Sequence, residues 1–359
     1  MNKLNFTNRY RSESPILTAD KSWEEGASLR AVSVFSEENG KRLRLYYLVW
    51  YREEPVKNAL CVAYSQDGLN WEKPDLGEGN NVVMRGSGCR LNWGVFFPQQ
   101  VIFDPHCEDK DLCWKMVYWD RPTQEFPQGL CLAASTDGLT WKPLFDYPII
   151  TNQNDGSCLI TANERNPIRW LECKYYIYQQ TWKYNPARSG ERESLPKVHR
   201  HISIWAAKTF GRGWIGPTVV LEPDEDDPSD HQFYWLTPFH TNKGYGGFLT
   251  VLHSDDQTVD LQIVTSLDGW EWQRENNRYP ILTPGDPGRF DCGMVFSICG
   301  PMRVGEKVYI LYGGQSWTHD QRPAYPDVNL EGPEAGIGVA EVDPGILDMN
   351  SNPVRQSTM

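Results

Sequence analysis

One short sequence, Ser-x-Asp-Gly-x-x-Trp, constrains this chain more than any other feature because it recurs at distant positions. The copies lie at 65–71 (SQDGLNW), at 135–141 (STDGLTW) and, less regularly, at 266–272 (SLDGWEW). Asp-Gly is a strong signal for a tight turn, since Gly adopts a positive φ without steric cost. Each copy therefore predicts a strand, a tight turn and a short strand that carries a Trp.

The sequence around these turns repeats as well. An apolar run precedes each turn, and a segment resembling Pro-Ile-Ile-Thr follows it. The second residue of that segment stands at positions 16, 82, 149, 218 and 281. These positions are 63 to 69 residues apart, so five similar units account for the 359-residue chain. Each unit is long enough for four strands.

This regular repetition predicts an all-β fold, a five-bladed β-propeller with four antiparallel strands in each blade. A β-sandwich is less consistent with the sequence because it would not repeat at a fixed period. We expect one domain over residues 1–359, with blades at 15–80, 81–147, 148–216, 217–279 and 280–347. The last unit lacks residues for its outer strand. We therefore predict that the N-terminal segment 1–14, through a strand at Leu4–Tyr10, closes the ring.

Composition limits the classes of partner. With 47 acidic and 35 basic residues the formal net charge is −12, which disfavours binding to nucleic acid or to anionic membranes. No run of 18 apolar residues and no N-terminal signal-peptide core is present, so we expect a cytoplasmic protein.

The nine Cys residues lack paired spacing and are expected to be buried, reduced thiols. The His and Cys spacing does not suggest zinc, and we expect no cofactor. Binding of a Ca²⁺ ion by carboxylate oxygens in the channel is left as an open alternative.

Acidic residues precede the predicted inner strand of four of the five units. In a propeller these segments share one rim, at the mouth of the channel. Glu24 and Glu25 precede the inner strand of unit 1, and Asp155, Asp230 and Asp291 precede those of units 3, 4 and 5. Carboxylates that converge raise one another's pKa, which allows an acid and a base to coexist near neutral pH. We predict Asp155 and Asp230 as this catalytic pair, with Glu25 and Asp291 as the next candidates.

Two long loops are predicted on the same rim, at 181–198 and 315–334. Loops of this length in a compact domain are often functional. Together with the strand ends they contribute aromatic and basic side chains, which suit the binding of sugar rings beside a pair of carboxylates. The predicted substrate contacts are Trp93, Arg200, Tyr234, His319, Glu24 and His231. The Trp and Asp residues of the repeated turns are expected to be structural.

Several of these segments carry a resemblance to a known group. The turns, Trp23-Glu24, 226–234 (DDPSDHQFY), and 290–293 (FDCG) followed by 309–314 (YILYGG) resemble the five-bladed propeller glycosidases of families 32, 43, 68 and 130. The likeness is greatest to uncharacterised bacterial relatives of families 32 and 43, and it covers essentially the whole chain.

The resemblance also implies roles for the carboxylates. In those families an Asp before the first inner strand is base or nucleophile, a second Asp tunes the pKa, and a Glu is the acid. By position these roles fall on Glu24 or Glu25, and then on Asp155 and Asp230. The sequence departs from the family pattern, with Glu in the first place, Asp where the acid is expected, and no Asn-Asp-Pro-Asn-Gly signature.

The predicted function is therefore an exo-acting glycoside hydrolase for a furanoside or another short glycoside. Two alternatives stay open. A phosphate-dependent phosphorylase would use Arg200, His199, His231 and His319 to hold phosphate. A non-catalytic glycan-binding propeller would use the acidic residues only as hydrogen-bond acceptors.

Overall fold

The computed structural model describes residues 10–89, 96–151, 157–161, 173–184, 197–330 and 332–348. In this part of the chain the regular structure consists of β-strands and short 3₁₀ helices. The 3₁₀ helices are Ser22–Glu24, Glu38–Gly40, Pro55–Lys57, Lys110–Leu112, Asn276–Arg278 and Pro344–Asp348. The described helices do not include one with the length and hydropathy needed to cross a membrane.

The strands follow one another in sets of four. The chain begins with β1 (Tyr10–Arg11). Unit 1 consists of β2 (Ala27–Glu37), β3 (Arg42–Tyr51), β4 (Ala59–Ser65) and β5 (Val82–Arg85). Unit 2 consists of β6 (Phe97–Phe103), β7 (Trp114–Asp120), β8 (Gly129–Ser135) and β9 (Lys142–Pro143). Unit 3 consists of β10 (Ser157–Thr161), β11 (Tyr175–Tyr184), β12 (Val198–Ala207) and β13 (Ile215–Leu221). Each of these units is one antiparallel sheet with its strands in chain order.

The remaining strands form an eight-stranded sheet. Unit 4 consists of β14 (His231–Thr241), β15 (Gly244–His253), β16 (Val259–Ser266) and β17 (Trp272–Arg274). Unit 5 consists of β18 (Met294–Val304), β19 (Lys307–Gln315), β20 (Ala335–Val342) and β1. Pairing is antiparallel within each unit, and one parallel pair, Val259 with Met294, joins the two units. The prediction of an all-β fold built from four-stranded antiparallel sheets is thus confirmed.

The N-terminal segment supplies the outer strand of unit 5. Tyr10 pairs with Glu341 and Arg11 with Ala340. Most of the strand predicted at Leu4–Tyr10 lies outside the described residues, and the pairing that the structure describes begins at Tyr10.

The first strands of the units contact one another in sequence order. β2 contacts β6, β6 contacts β10, β10 contacts β14, and β14 contacts β18. β18 in turn contacts β2.

The repeated turns have the same hydrogen bonds in each copy. In the first, the Asp67 carboxylate accepts from the backbone N–H groups of Leu69 and Asn70, both at 2.8 Å. Gly68 has a φ of 74°, and its carbonyl accepts from the indole N–H of Trp71 at 3.1 Å. The turns that contain Asp137 and Asp268 repeat these contacts. The prediction that these Asp and Trp residues are structural is confirmed.

The thiols follow the sequence prediction with one exception. Cys107 and Cys113 form a disulfide with their Cα atoms 5.4 Å apart, so the expectation of reduced thiols is wrong for this pair. Both residues lie in the connection between β6 and β7, where the chain reverses and brings them together. Most of the free Cys residues in the described part of the chain are buried, as expected.

Candidate functional site

Tyr234, His319 and Gln257 form one hydrogen-bonded group. Tyr234 lies on β14, Gln257 lies in the connection between β15 and β16, and His319 follows β19 in the predicted long loop of unit 5. The Nε2 atom of His319 is 2.9 Å from the Tyr234 hydroxyl, and its Nδ1 atom is 3.2 Å from the Gln257 side-chain oxygen. The backbone N–H of His319 donates to the Gln257 carbonyl at 2.8 Å. The imidazole is therefore fixed from both sides.

Arg200 approaches Tyr234 from unit 3. It lies on β12 with 2% of its surface exposed, and its guanidinium donates to the side-chain oxygen of Gln232 at 2.8 Å. The guanidinium carbon is 5.7 Å from the centre of the Tyr234 ring. Three side chains predicted as substrate contacts, Arg200, Tyr234 and His319, thus meet although they come from three units.

Further polar and aromatic side chains extend this group. Gln180 donates to the Tyr234 carbonyl at 3.1 Å and accepts from the Trp182 indole at 3.0 Å. Trp235, the neighbour of Tyr234, stacks with Phe97 and Phe296 at centroid distances of 6.3 Å. Tyr234 is the extra residue of a β-bulge in β14, and its ring meets that of Trp235 edge to face with the centroids 5.2 Å apart.

A cavity lies between the first strands of the units, and Arg30, Gln99, Trp235 and Thr237 are among its lining residues. The Arg30 guanidinium carbon is 4.1 Å from the Trp50 ring centre, and it also lies over Phe97 and Phe296. Arg30 was not among the residues predicted from the sequence. The available signal was a charged residue inside the short apolar stretch 29–32 (LRAV) of β2.

Asp230 directly precedes β14, and 20% of its side chain is exposed. One of its carboxylate oxygens is 3.5 Å from Nδ1 of His253, and Nε2 of His253 is 2.9 Å from the Asp260 carboxylate. Burial lowers the pKa of His253, but the hydrogen bond and charge of Asp260 and the charge of Asp230 raise it above its usual value overall. The backbone N–H of Gln257 donates to the His253 carbonyl at 2.7 Å, which links this acidic cluster to the group around His319.

Asp291 and Glu24 lie in ion pairs inside the protein. Asp291 has no exposed surface, and it binds Arg11 at 2.5 Å and the Tyr312 hydroxyl at 2.8 Å. Glu24 is equally buried, and it binds Lys73 at 2.5 Å and the Tyr47 hydroxyl at 3.1 Å.

Asp227 in unit 4 has a similar arrangement with Arg274, at 3.1 Å. In each case a carboxylate ahead of the first strand binds a cation from the outer part of the same unit. These contacts fasten one edge of a sheet to the other.

The other predicted residues are distributed as follows. Glu25 is exposed on the surface beside Glu24. His231 begins β14 and lies opposite His253 on β15. Asp155 and Trp93 lie outside the described residues, as do Arg188 and Arg192 of the long loop in unit 3.

Comparison with known proteins gives a likeness in structure. No family model matches the sequence, and no curated protein matches it. A solved structure described as "Glycoside hydrolase" has a TM-score of 0.64 at 13% identity, with 97% of this chain and 94% of that chain covered. The fold of this chain is therefore similar to that of a solved glycoside hydrolase.

Two further structures agree with this result. A thermostable family-43 glycoside hydrolase has a TM-score of 0.55 at 14% identity, with 95% and 92% of the two chains covered. A third structure has a TM-score of 0.59 at 12% identity, with 96% of this chain and 95% of that chain covered. Its description states that the family-130 mannoside phosphorylases contain glycoside hydrolases that target β-1,2-mannosidic linkages in Candida mannan. The resemblance to propeller glycoside hydrolases predicted from the sequence is confirmed at the level of the fold.

Proposed function

We propose that the chain is a glycoside hydrolase with a five-bladed propeller fold, closed by β1, whose substrate binds where Arg200, Tyr234 and His319 meet. The cyclic contacts of the first strands and the pairing of β1 with β20 support ring closure. The observation that carries the functional proposal is the Tyr234–His319 contact beside Arg200, on a fold similar to glycoside hydrolases. These groups offer hydrogen-bond donors and an aromatic surface to sugar hydroxyls and rings.

We further propose Asp155 and Asp230 as the acid and base, as predicted from the sequence. Asp230 is partly exposed and lies beside His253, so it can accept a proton from water while His253 and Asp260 keep its surroundings polar. Asp291 and Glu24 rank lower because each is buried in an ion pair. The expected substrate is a short glycoside or furanoside cleaved from its end.

Phosphorolysis is a second candidate because a guanidinium, that of Arg200, and an imidazole, that of His319, both lie beside Tyr234. A guanidinium and an imidazole in these positions can bind phosphate oxygens. Aryl furanosides and pyranosides should therefore be assayed with and without inorganic phosphate. Turnover without phosphate supports hydrolysis, turnover only with phosphate supports phosphorolysis, and binding without turnover supports a glycan-binding protein.

The catalytic assignment is tested with Asp155→Asn and Asp230→Asn. Each variant should lose at least about 10²-fold in rate while it unfolds like the wild type. Asp226→Asn is a matched control near Asp230, because the Asp226 side chain is 77% exposed and should keep full activity. Full activity in both test variants would contradict the assignment.

A further inference from the structure

Asp230, His231 and His253 form a compact group of metal-binding side chains. One ligand atom from each residue lies within 4.8 Å of the other two. His231 and His253 are directly paired across β14 and β15, and their rings meet edge to face with centroids 4.7 Å apart. Asp230 directly precedes β14. The positions of the three side chains are therefore fixed by the pairing of two buried strands.

The hydrogen bonds of His253 suit metal binding. Its Nε2 atom is 2.9 Å from the Asp260 carboxylate, so Nδ1 is the nitrogen that faces Asp230, with 3.5 Å between Nδ1 and a carboxylate oxygen. Two ligands on a tetrahedral Zn²⁺ ion, with bonds of about 2.0–2.2 Å, stand about 3.4 Å apart. A carboxylate on the second ring nitrogen is the usual support of a metal-bound His.

His231 has a similar environment. Its Nδ1 atom is buried and makes no hydrogen bond within the described part of the chain, and it lies 3.8 Å from an oxygen of Asp227. Binding of a metal through Nε2 would place the ring proton on Nδ1, where it faces Asp227. Arg274 holds Asp227 in place from the outer strand of the unit. Each of the two histidines thus has a carboxylate beside the nitrogen that would not bind the metal.

We propose that Asp230, His231 and His253 bind a divalent transition-metal ion, with Zn²⁺ as the representative ion. Two imidazoles and one carboxylate favour Zn²⁺ and similar ions over Ca²⁺ and Mg²⁺, which prefer oxygen ligands. Three protein ligands leave a fourth position for water. This site was not predicted from the sequence, because only Asp230 and His231 are adjacent in the chain, and strand pairing brings His253 beside them.

The site has a consequence that rests on the proposed function. A carboxylate bound to Zn²⁺ cannot accept a proton, so an occupied site would inhibit a hydrolase that uses Asp230 as base. The binding of the metal does not depend on that function.

Metal binding is tested directly by isothermal titration of the full chain with Zn²⁺ after removal of metals with a chelator. We expect one Zn²⁺ per chain, an increase in Tm with Zn²⁺, and at least a tenfold weaker affinity in both His231→Ala and His253→Ala. His240→Gln is the control, since His240 lies on the same strand, β14, but near its other end. It should bind Zn²⁺ as the wild type does.

Co²⁺ gives a second readout, because a nitrogen- and oxygen-bound Co²⁺ ion has visible absorption bands that should vanish in both alanine variants. Absence of Zn²⁺ binding by the wild type, or wild-type affinity in the two alanine variants, would overturn the site. Equal affinity for Ca²⁺ would overturn the assignment to a transition metal. If Zn²⁺ binds and the metal-free chain has no glycosidase activity, the metal site stands and the proposed function fails.

Discussion

Arg11 and Asp291 are 280 residues apart in the chain, and a guanidinium nitrogen of the arginine lies 2.5 Å from a carboxylate oxygen of the aspartate. The pair joins β1 to the segment that leads into β18, the first strand of the same unit. Asp291 is fully buried and also accepts a hydrogen bond from Tyr312. Arg289 lies 3.4 Å from the other carboxylate oxygen of Asp291, so without Arg11 the buried charge keeps only this longer ion pair.

Arg11→Ala should therefore lower the free energy of unfolding by about 3 kcal/mol, the low end for a broken buried pair, because Arg289 still faces Asp291. Urea denaturation followed by tryptophan fluorescence measures this change. Arg52→Ala is the control, because Arg52 is 54% exposed and lies 3.9 Å from Glu53; its effect should stay within about 0.5 kcal/mol. Equal stability of the two variants would show that β1 does not fasten the sheet.

Tyr46 connects unit 1 to the repeated turn of unit 2. Its hydroxyl donates to the Gly138 carbonyl at 2.7 Å, and Tyr178 makes the same contact with Gly269 between units 3 and 4. Tyr46→Phe leaves the buried carbonyl without this donor and should lower the free energy of unfolding by about 1–2 kcal/mol. Tyr279→Phe, at a residue that is 68% exposed, should leave it unchanged. If Tyr279→Phe lost stability and Tyr46→Phe did not, a role of these contacts in joining the units would be contradicted.

The hydrogen bonds of Asp67, in the first of the repeated turns, predict that the stability of the protein depends on pH. Burial raises the pKa of Asp67, but hydrogen bonds from Asn70, Leu69 and Ser65 outweigh this effect and lower the pKa to about 2. Because the folded state has the lower pKa, the stabilisation is complete above the unfolded-state pKa of about 3.9 and is lost as the pH falls towards 2.

Asp67→Asn should remove this part of the pH dependence. Urea unfolding of the wild type and the variant between about pH 6 and pH 2 should show curves that converge as the pH falls. Asp255→Asn, at an exposed position, should keep the pH dependence of the wild type. Parallel curves for Asp67→Asn and the wild type would contradict a lowered pKa of Asp67 in the folded state.

Much of the fold follows from local sequence. The Asp-Gly turns impose positive φ at Gly68, Gly138 and Gly269, and the strands before them are apolar runs that can be recognised without knowledge of their partners. Arg200, Tyr234 and His319 could also be predicted to meet, because the repeat assigns their segments to the same end of the units. In these cases the information lies in the local sequence of each unit and in its repetition along the chain.

The ion pairs could not be predicted in the same way. The acidic residues ahead of the inner strands are equivalent in sequence. In the structure Asp291 and Glu24 are buried beside Arg11 and Lys73, whereas Asp230 is partly exposed and lies beside His253. Whether a carboxylate is neutralised depends on which cation the outer strand brings near it. That contact is set by packing between distant segments.

The Tyr234–His319 contact gives the last prediction, which concerns the proposed substrate site. The Tyr234 hydroxyl lies 2.9 Å from Nε2 of His319, so Tyr234→Phe removes one of the two contacts that orient the imidazole. We expect kcat/KM on the aryl glycoside that the chain cleaves to fall about tenfold, the equivalent of one hydrogen bond of about 1.4 kcal/mol. His319→Gln, which keeps a polar atom in reach of the hydroxyl, should lose less activity than His319→Ala. Tyr325→Phe in the same loop, at a residue that is 43% exposed, is the control and should retain wild-type kcat/KM. Wild-type kcat/KM in both Tyr234→Phe and His319→Ala would place the substrate elsewhere on the molecule.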